Sequence, residues 1–87
     1  LTLLNDVAFH ELAVAFGQRI AGLSGSDPSR LEQGFRIATG RKPGVAESQA
    51  LLRLLESERS ADPTHAAEAW TTVARVLLNL DESITRE

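Results

Sequence analysis

The chain is 87 residues long, enough for one domain with one core and too short to enclose a cofactor cavity or to add a second domain. Its composition, 43% hydrophobic and 24% charged, is that of an ordinary globular protein, and a net charge of −3 removes the electrostatic basis for nucleic-acid binding. With no cysteine there can be no disulfide, thiolate metal site or thioether-linked haem, and no apolar run nears the ~20 residues of a membrane span.

The chain opens on an apolar lead-in, Leu1-Thr2-Leu3-Leu4. That opening reads as a piece of a longer protein rather than a natural start, since no Met or leader precedes it. Asn5 or Asp6 can cap a first helix. With Asn5 as the cap, Leu4 and Phe9 take the positions of a hydrophobic staple. Phe9, Leu12, Ala13, Phe16, Ile20 and Leu23 recur at helical spacing and predict a helix over 6–22. Val7 and Val14 fall on its other side.

Ser24-Gly25-Ser26 breaks the chain, and Asp27-Pro28 restarts it, with Asp at the cap and Pro at the first helical position. Leu31, Gly34, Phe35 and Ala38 line a narrow inward face of a helix over 28–39, and Ile37 points outward. Gly34 in mid-helix costs about 1 kcal/mol against Ala, which predicts close approach of a neighbour, with Trp70 the candidate. Glu32 and Arg36 have the spacing of a helical ion pair. Gly40 suits a left-handed terminator.

After the loop Gly40-Arg41-Lys42-Pro43-Gly44, the residues Val45, Ser48, Leu51, Leu52 and Leu55 predict a third helix over 45–58, with Leu54 off the inward face. Asp62-Pro63 repeats the Asp-Pro restart, and a fourth helix runs over 63–80. Stepped at about 100° per residue, Ala66, Trp70, Val73, Leu77 and Leu80 fall on one line. Ala67, Ala69, Ala74, Val76 and Leu78 broaden it to roughly 200°, twice the stripe of a surface helix. This Trp-bearing helix is the expected centre of the fold. Residues 81–87 form a polar tail with one apolar residue, Ile84. The fold class is all-α: a compact four-helix bundle or an irregular four-helix array, in one domain spanning 1–87.

The chemistry-bearing residues are few. His65 and Glu68 stand three apart on one helical face, but a metal site needs three or four ligands and nothing else is spaced to join them. His10 beside Glu11 is no better placed. No serine sits in a Gly-x-Ser-x-Gly elbow, and the carboxylates lie on polar faces. Arg41-Lys42, near Arg36 and flanked by Gly40 and Gly44, is the one basic patch, without the spacing or the preceding strand of a phosphate loop. No catalytic, cofactor-binding or metal-ligating residue is assigned. Four apolar residues on outer faces, Val7, Val14, Ile37 and Leu54, form the candidate contact surface.

Two stretches resemble a known family. Leu1-Thr2-Leu3-Leu4-Asn5-Asp6 with Phe9 is similar to the opening of the C-terminal domain of large planctomycete and verrucomicrobial proteins of unknown function. Many of those carry a cytochrome c-type domain near the N-terminus. Residues 69–82, from Ala69-Trp70 to Asp81-Glu82, with Ile84-Thr85-Arg86-Glu87, resemble the closing helix and tail of that domain. Gly40-Arg41-Lys42-Pro43 and Glu47 resemble its Gly-Arg-x-Pro turn and following helix start. The chain departs from the pattern at Val7, where the family usually has Pro, and at Ser83, where it usually has an aromatic residue. The resemblance implies an exported or periplasmic parent, but it brings no catalytic residues, and the haem motif of the family's cytochrome portion is not in this chain.

These readings make the chain a non-catalytic helical interaction or structural module. Its expected partner is the remainder of its parent protein or a second copy, not nucleic acid or a membrane. The alternative is an accessory wall of a hydrolytic or redox site, for which Arg41, Lys42, His65 and Glu68 offer the usable groups.

Overall fold

The computed structural model describes residues 6–80. The order is α1 (Asp6–Ala21), α2 (Asp27–Thr39), α3 (Val45–Ala61), a 3-10 turn (Pro63–His65) and α4 (Ala66–Leu80), with no strand among the described residues. The all-α four-helix architecture is as expected. The lead-in, the choice of Asn5 or Asp6 as cap, and the tail with Ile84 lie outside what is described.

The helix ends follow local chemistry. Ser26, not Asp27, occupies the N-cap of α2, with extended backbone at φ −79° and ψ 172° and its Oγ facing the Ser29 N–H at 3.5 Å. Asp27 therefore moves into the first turn, where a negative charge meets the positive end of the helix. Gly40 closes α2 at φ 79°, the predicted left-handed terminator, and its N–H donates to the Arg36 carbonyl at 2.8 Å.

α3 runs three residues past its expected end, because the sequence up to Ala61 contains no breaker. Pro63 sets the boundary by pushing the preceding residue out of helical space, and Asp62 sits at φ −148°, ψ 80°. The Asp62 carboxylate then accepts from Thr64 Oγ1 at 2.8 Å and lies 2.9 Å from His65 Nδ1. This local knot winds Pro63–His65 as a 3-10 turn where continuous α-helix was expected.

α4 is the hub. It packs against each of the other three helices, most extensively α1, and buries Ala69, Trp70, Val73, Ala74, Leu77 and Leu78. Ala13, Phe16 and Ile20 from α1, Leu31 and Phe35 from α2, and Leu51 and Leu55 from α3 complete the core. The predicted apolar arc fails at its ends, where Ala66, Ala67 and Leu80 are exposed.

α1 comes so close to α4 that a Cβ on Gly17 would stand 2.9 Å from the Thr71 nitrogen and from the Trp70 carbonyl carbon and oxygen. Gly34 does meet a neighbour, but it is the Ile20 side chain, 2.9 Å from where a Cβ would lie, and not Trp70. Glycine thus marks both close contacts of α1, one with α4 and one with α2.

Three inward assignments are corrected. Leu12 is 41% exposed because it lies about 90° from the centre of the arc formed by Ala13, Phe16, Gly17 and Ile20. Val45 and Ser48 are exposed on the first turn of α3. Leu54 is corrected in the opposite sense. It is half-buried against the core, about 80° to one side of the Leu51–Leu55 line, as Leu52 is to the other.

Candidate functional site

The structure does not bring the four predicted contact residues together. Leu54 belongs to the margin of the core and leaves the set. Val7 is exposed on the first turn of α1. Val14 and Ile37 line two different grooves on opposite flanks of α1.

The first groove, of about 460 Å³, lies between α1 and α4. His10, Val14 and Gln18 form one wall at i, i+4 and i+8, and Glu68, Thr71, Thr72 and Arg75 form the other. At one end Arg75 Nη1 stands 3.4 Å from His10 Nδ1. Glu58 of α3 accepts from Thr72 Oγ1 at 3.4 Å. The groove mixes apolar and polar surface, and Glu68 and Arg75 bring one carboxylate and one guanidinium to its lining.

The second groove, of about 300 Å³, is apolar and opens between α1 and α2. Gly34 meets the Ile20 side chain, and Ile37, one turn further along α2, lines the groove with Leu12. Leu12, Phe16 and Arg19 follow one another at i, i+4 and i+7 along α1, with Ala15 beside them. Ile37 and Ala38 supply the α2 wall, and Leu78 of α4 the floor. Leu12 and Ile37 are 41% and 43% exposed, so two large aliphatic side chains flank a concave strip whose single charge is Arg19. Periodicity found Ile37 but placed Leu12 in the core. The signal for Leu12 was its angular offset from Ala13 and Ile20.

The polar candidates are occupied in holding the fold. Arg41 donates to Glu47 through both terminal nitrogens, at 3.1 and 2.9 Å, and its guanidinium carbon lies 4.9 Å from the centroid of the Phe35 ring. Glu47 Oε1 also accepts from the Gly44 N–H at 2.8 Å. The Arg41 hydrogen bonds, and then the Gly44 N–H, bring the Glu47 carboxyl down to about 2. The basic loop is thus pinned to the start of α3, and Lys42 is exposed beside it.

At the other end of α3, Arg59 donates to Asp27 at 2.6 Å and lies 5.7 Å from the Trp70 ring centroid. Arg30 reaches the same carboxylate at 3.2 Å. The Arg59 hydrogen bond is the main reason the Asp27 carboxyl titrates below its ordinary range.

Arg41 and His65 stand at opposite ends of α3, whose 17 residues span about 25 Å. His65 is engaged with Asp62, and Glu68 faces the α1–α4 groove instead. The four groups named for an accessory enzymatic wall therefore do not converge. Among the described residues no three His, Asp or Glu side chains come together as metal ligands. Comparisons with protein-family models, curated proteins and solved structures gave no match.

Proposed function

We propose that this domain is a non-catalytic helical interaction module that packs through the α1–α2 groove onto the remainder of a longer parent protein or onto a second copy. The observation that carries this reading is the pair Leu12 and Ile37, held on either side of an apolar concavity by helices whose other faces are buried in the core. The likeness of the two chain ends to the C-terminal domain of large planctomycete and verrucomicrobial proteins supports the parent-protein version, with an exported location.

Sedimentation velocity of the domain alone, and of the domain mixed with the rest of its parent, tests the reading. Association that is lost in Ile37→Asp, with helical content unchanged, is the expected result. No association in either experiment, or association unaffected by Ile37→Asp, refutes it.

A second reading, an accessory wall of a hydrolytic or redox site, draws on the α1–α4 groove, where Glu68 stands with His10 and Arg75. Glu68→Gln and Arg75→Gln in the full-length parent test it, and unchanged activity ends it.

A further inference from the structure

Arg19 is the one described arginine whose side chain makes no hydrogen bond or ion pair to another described residue. Arg30, Arg36, Arg41 and Arg59 each reach a carboxylate, Arg53 donates to the Gln49 carbonyl, and Arg75 meets His10. This uncommitted cation stands on the wall of the apolar groove, one helical turn beyond Phe16 and two beyond Leu12.

The groove's shape disfavours a second copy as occupant. A two-fold dimer sets the same patch against itself. Here that would face one concavity with another, and the patch holds no carboxylate to pair with Arg19 of the other copy. What fits is a convex, apolar element with a negative charge at its edge.

We infer that the groove receives an amphipathic helix of a different polypeptide segment, whose apolar ridge fills the strip between Leu12 and Ile37 and whose flanking carboxylate pairs with Arg19. The apolar contacts supply affinity and the ion pair sets the direction in which the helix lies. The inference rests on the interaction reading above and adds the chemistry of the partner to it.

The test uses two capped helical peptides of about four turns. Both carry leucines at i, i+4 and i+7, and they differ at one flanking position, Glu in one and Lys in the other. Fluorescence anisotropy measures their binding to the whole 87-residue chain, and amide shifts locate it. The Glu peptide is expected to bind about fivefold more tightly at low salt, the sum of a gained and an avoided surface charge contact. The difference should vanish in about 1 M salt, where charges are screened over roughly 3 Å. Arg19→Glu should reverse the preference, and Arg19→Gln should abolish it. Shifts should centre on Leu12, Arg19 and Ile37.

Equal binding of the two peptides that is lost in Ile37→Asp overturns the acidic partner while leaving the interaction reading intact. Failure of both peptides to bind overturns the helix assignment. Displacement of the peptides by dimerisation assigns the groove to a second copy and overturns the inference. So does tighter peptide binding by a chain ending at Leu80, which would assign the groove to residues 81–87.

Discussion

Replacing Gly17 by Ala adds one methyl group where two helix backbones meet. On an isolated helix this change is favourable by about 1 kcal/mol, because glycine is the poorer helix former. In this fold the new Cβ would lie 2.9 Å from the Thr71 nitrogen and the Trp70 carbonyl carbon and oxygen, all backbone atoms that no rotamer change can move. Ordinary carbon contacts need about 3.5 Å or more. α1 and α4 must therefore separate by several tenths of an ångström, loosening the contacts of Ala13, Phe16 and Ile20 with Val73, Ala74 and Leu77 along the largest interface of the core. Overpacking of this kind costs about 1–3 kcal/mol. Set against the gain in propensity, a net loss of about 1–2 kcal/mol is expected, a large part of the roughly 4–13 kcal/mol available to a chain of this size. Urea unfolding followed by Trp70 fluorescence measures it directly. Gly22→Ala is the control: its Cβ would sit 3.5 Å from the nearest atom, an ordinary contact, so stability should be unchanged or slightly raised. A Gly17→Ala protein as stable as the Gly22→Ala control would refute the close backbone contact and the α1–α4 packing drawn from it.

Further predictions concern the core, the ion pairs and the pH response. Leu77→Ala, at a fully buried site in the hub helix, should cost about 2–5 kcal/mol by urea unfolding, whereas Leu12→Ala on the groove wall should cost much less. Asp27→Asn should lower stability by about 1 kcal/mol. A double-mutant cycle with Arg59→Met should return a coupling of at least about 0.5 kcal/mol, and a coupling of zero would make the 2.6 Å contact energetically idle. Glu47 carries its stabilisation as the carboxylate. Its carboxyl stands at about 2 in the fold against an ordinary 4.5, so the unfolded chain binds the proton first and stability rises with pH across that interval. The contribution is complete above about 4.5 and disappears as pH falls toward 2. Urea midpoints measured over that window should fall less steeply in Glu47→Gln than in the wild type, and parallel curves would contradict the assignment.

Helical period, breakers and caps were enough to read four helices, their order and the central place of α4, because a 200° apolar arc around Trp70 can be covered only by several neighbours. What stayed hidden depends on how helices pair. Gly17 gave no sign of its role, since it lies about 90° from the centre of the predicted Phe9–Leu12–Phe16–Ile20 face. Gly34 announced a close contact, but not that the neighbour would be Ile20. Leu12 and Leu54 lie 80–90° from the centres of their buried arcs, where period alone does not decide between core and surface; Leu12 borders the open groove, while Leu54 packs against the core. The α1–α2 groove is lined by residues of α1, α2 and α4 together, so no local pattern in any one helix could show it. Arg41 and Glu47 are six residues apart across a loop, outside any helical pairing rule, and the sequence offered them only as a basic patch and a helix start.

Whether a partner docks in the α1–α2 groove, as proposed, is decided by mapping backbone amide shifts of the labelled domain as the Glu peptide is added. Perturbations should gather on Leu12, Ala15, Arg19, Ile37 and Ala38. Perturbations confined to the outer face of α3, around Val45, Gln49 and Arg53, or to the α1–α4 groove at His10 and Arg75, would contradict it.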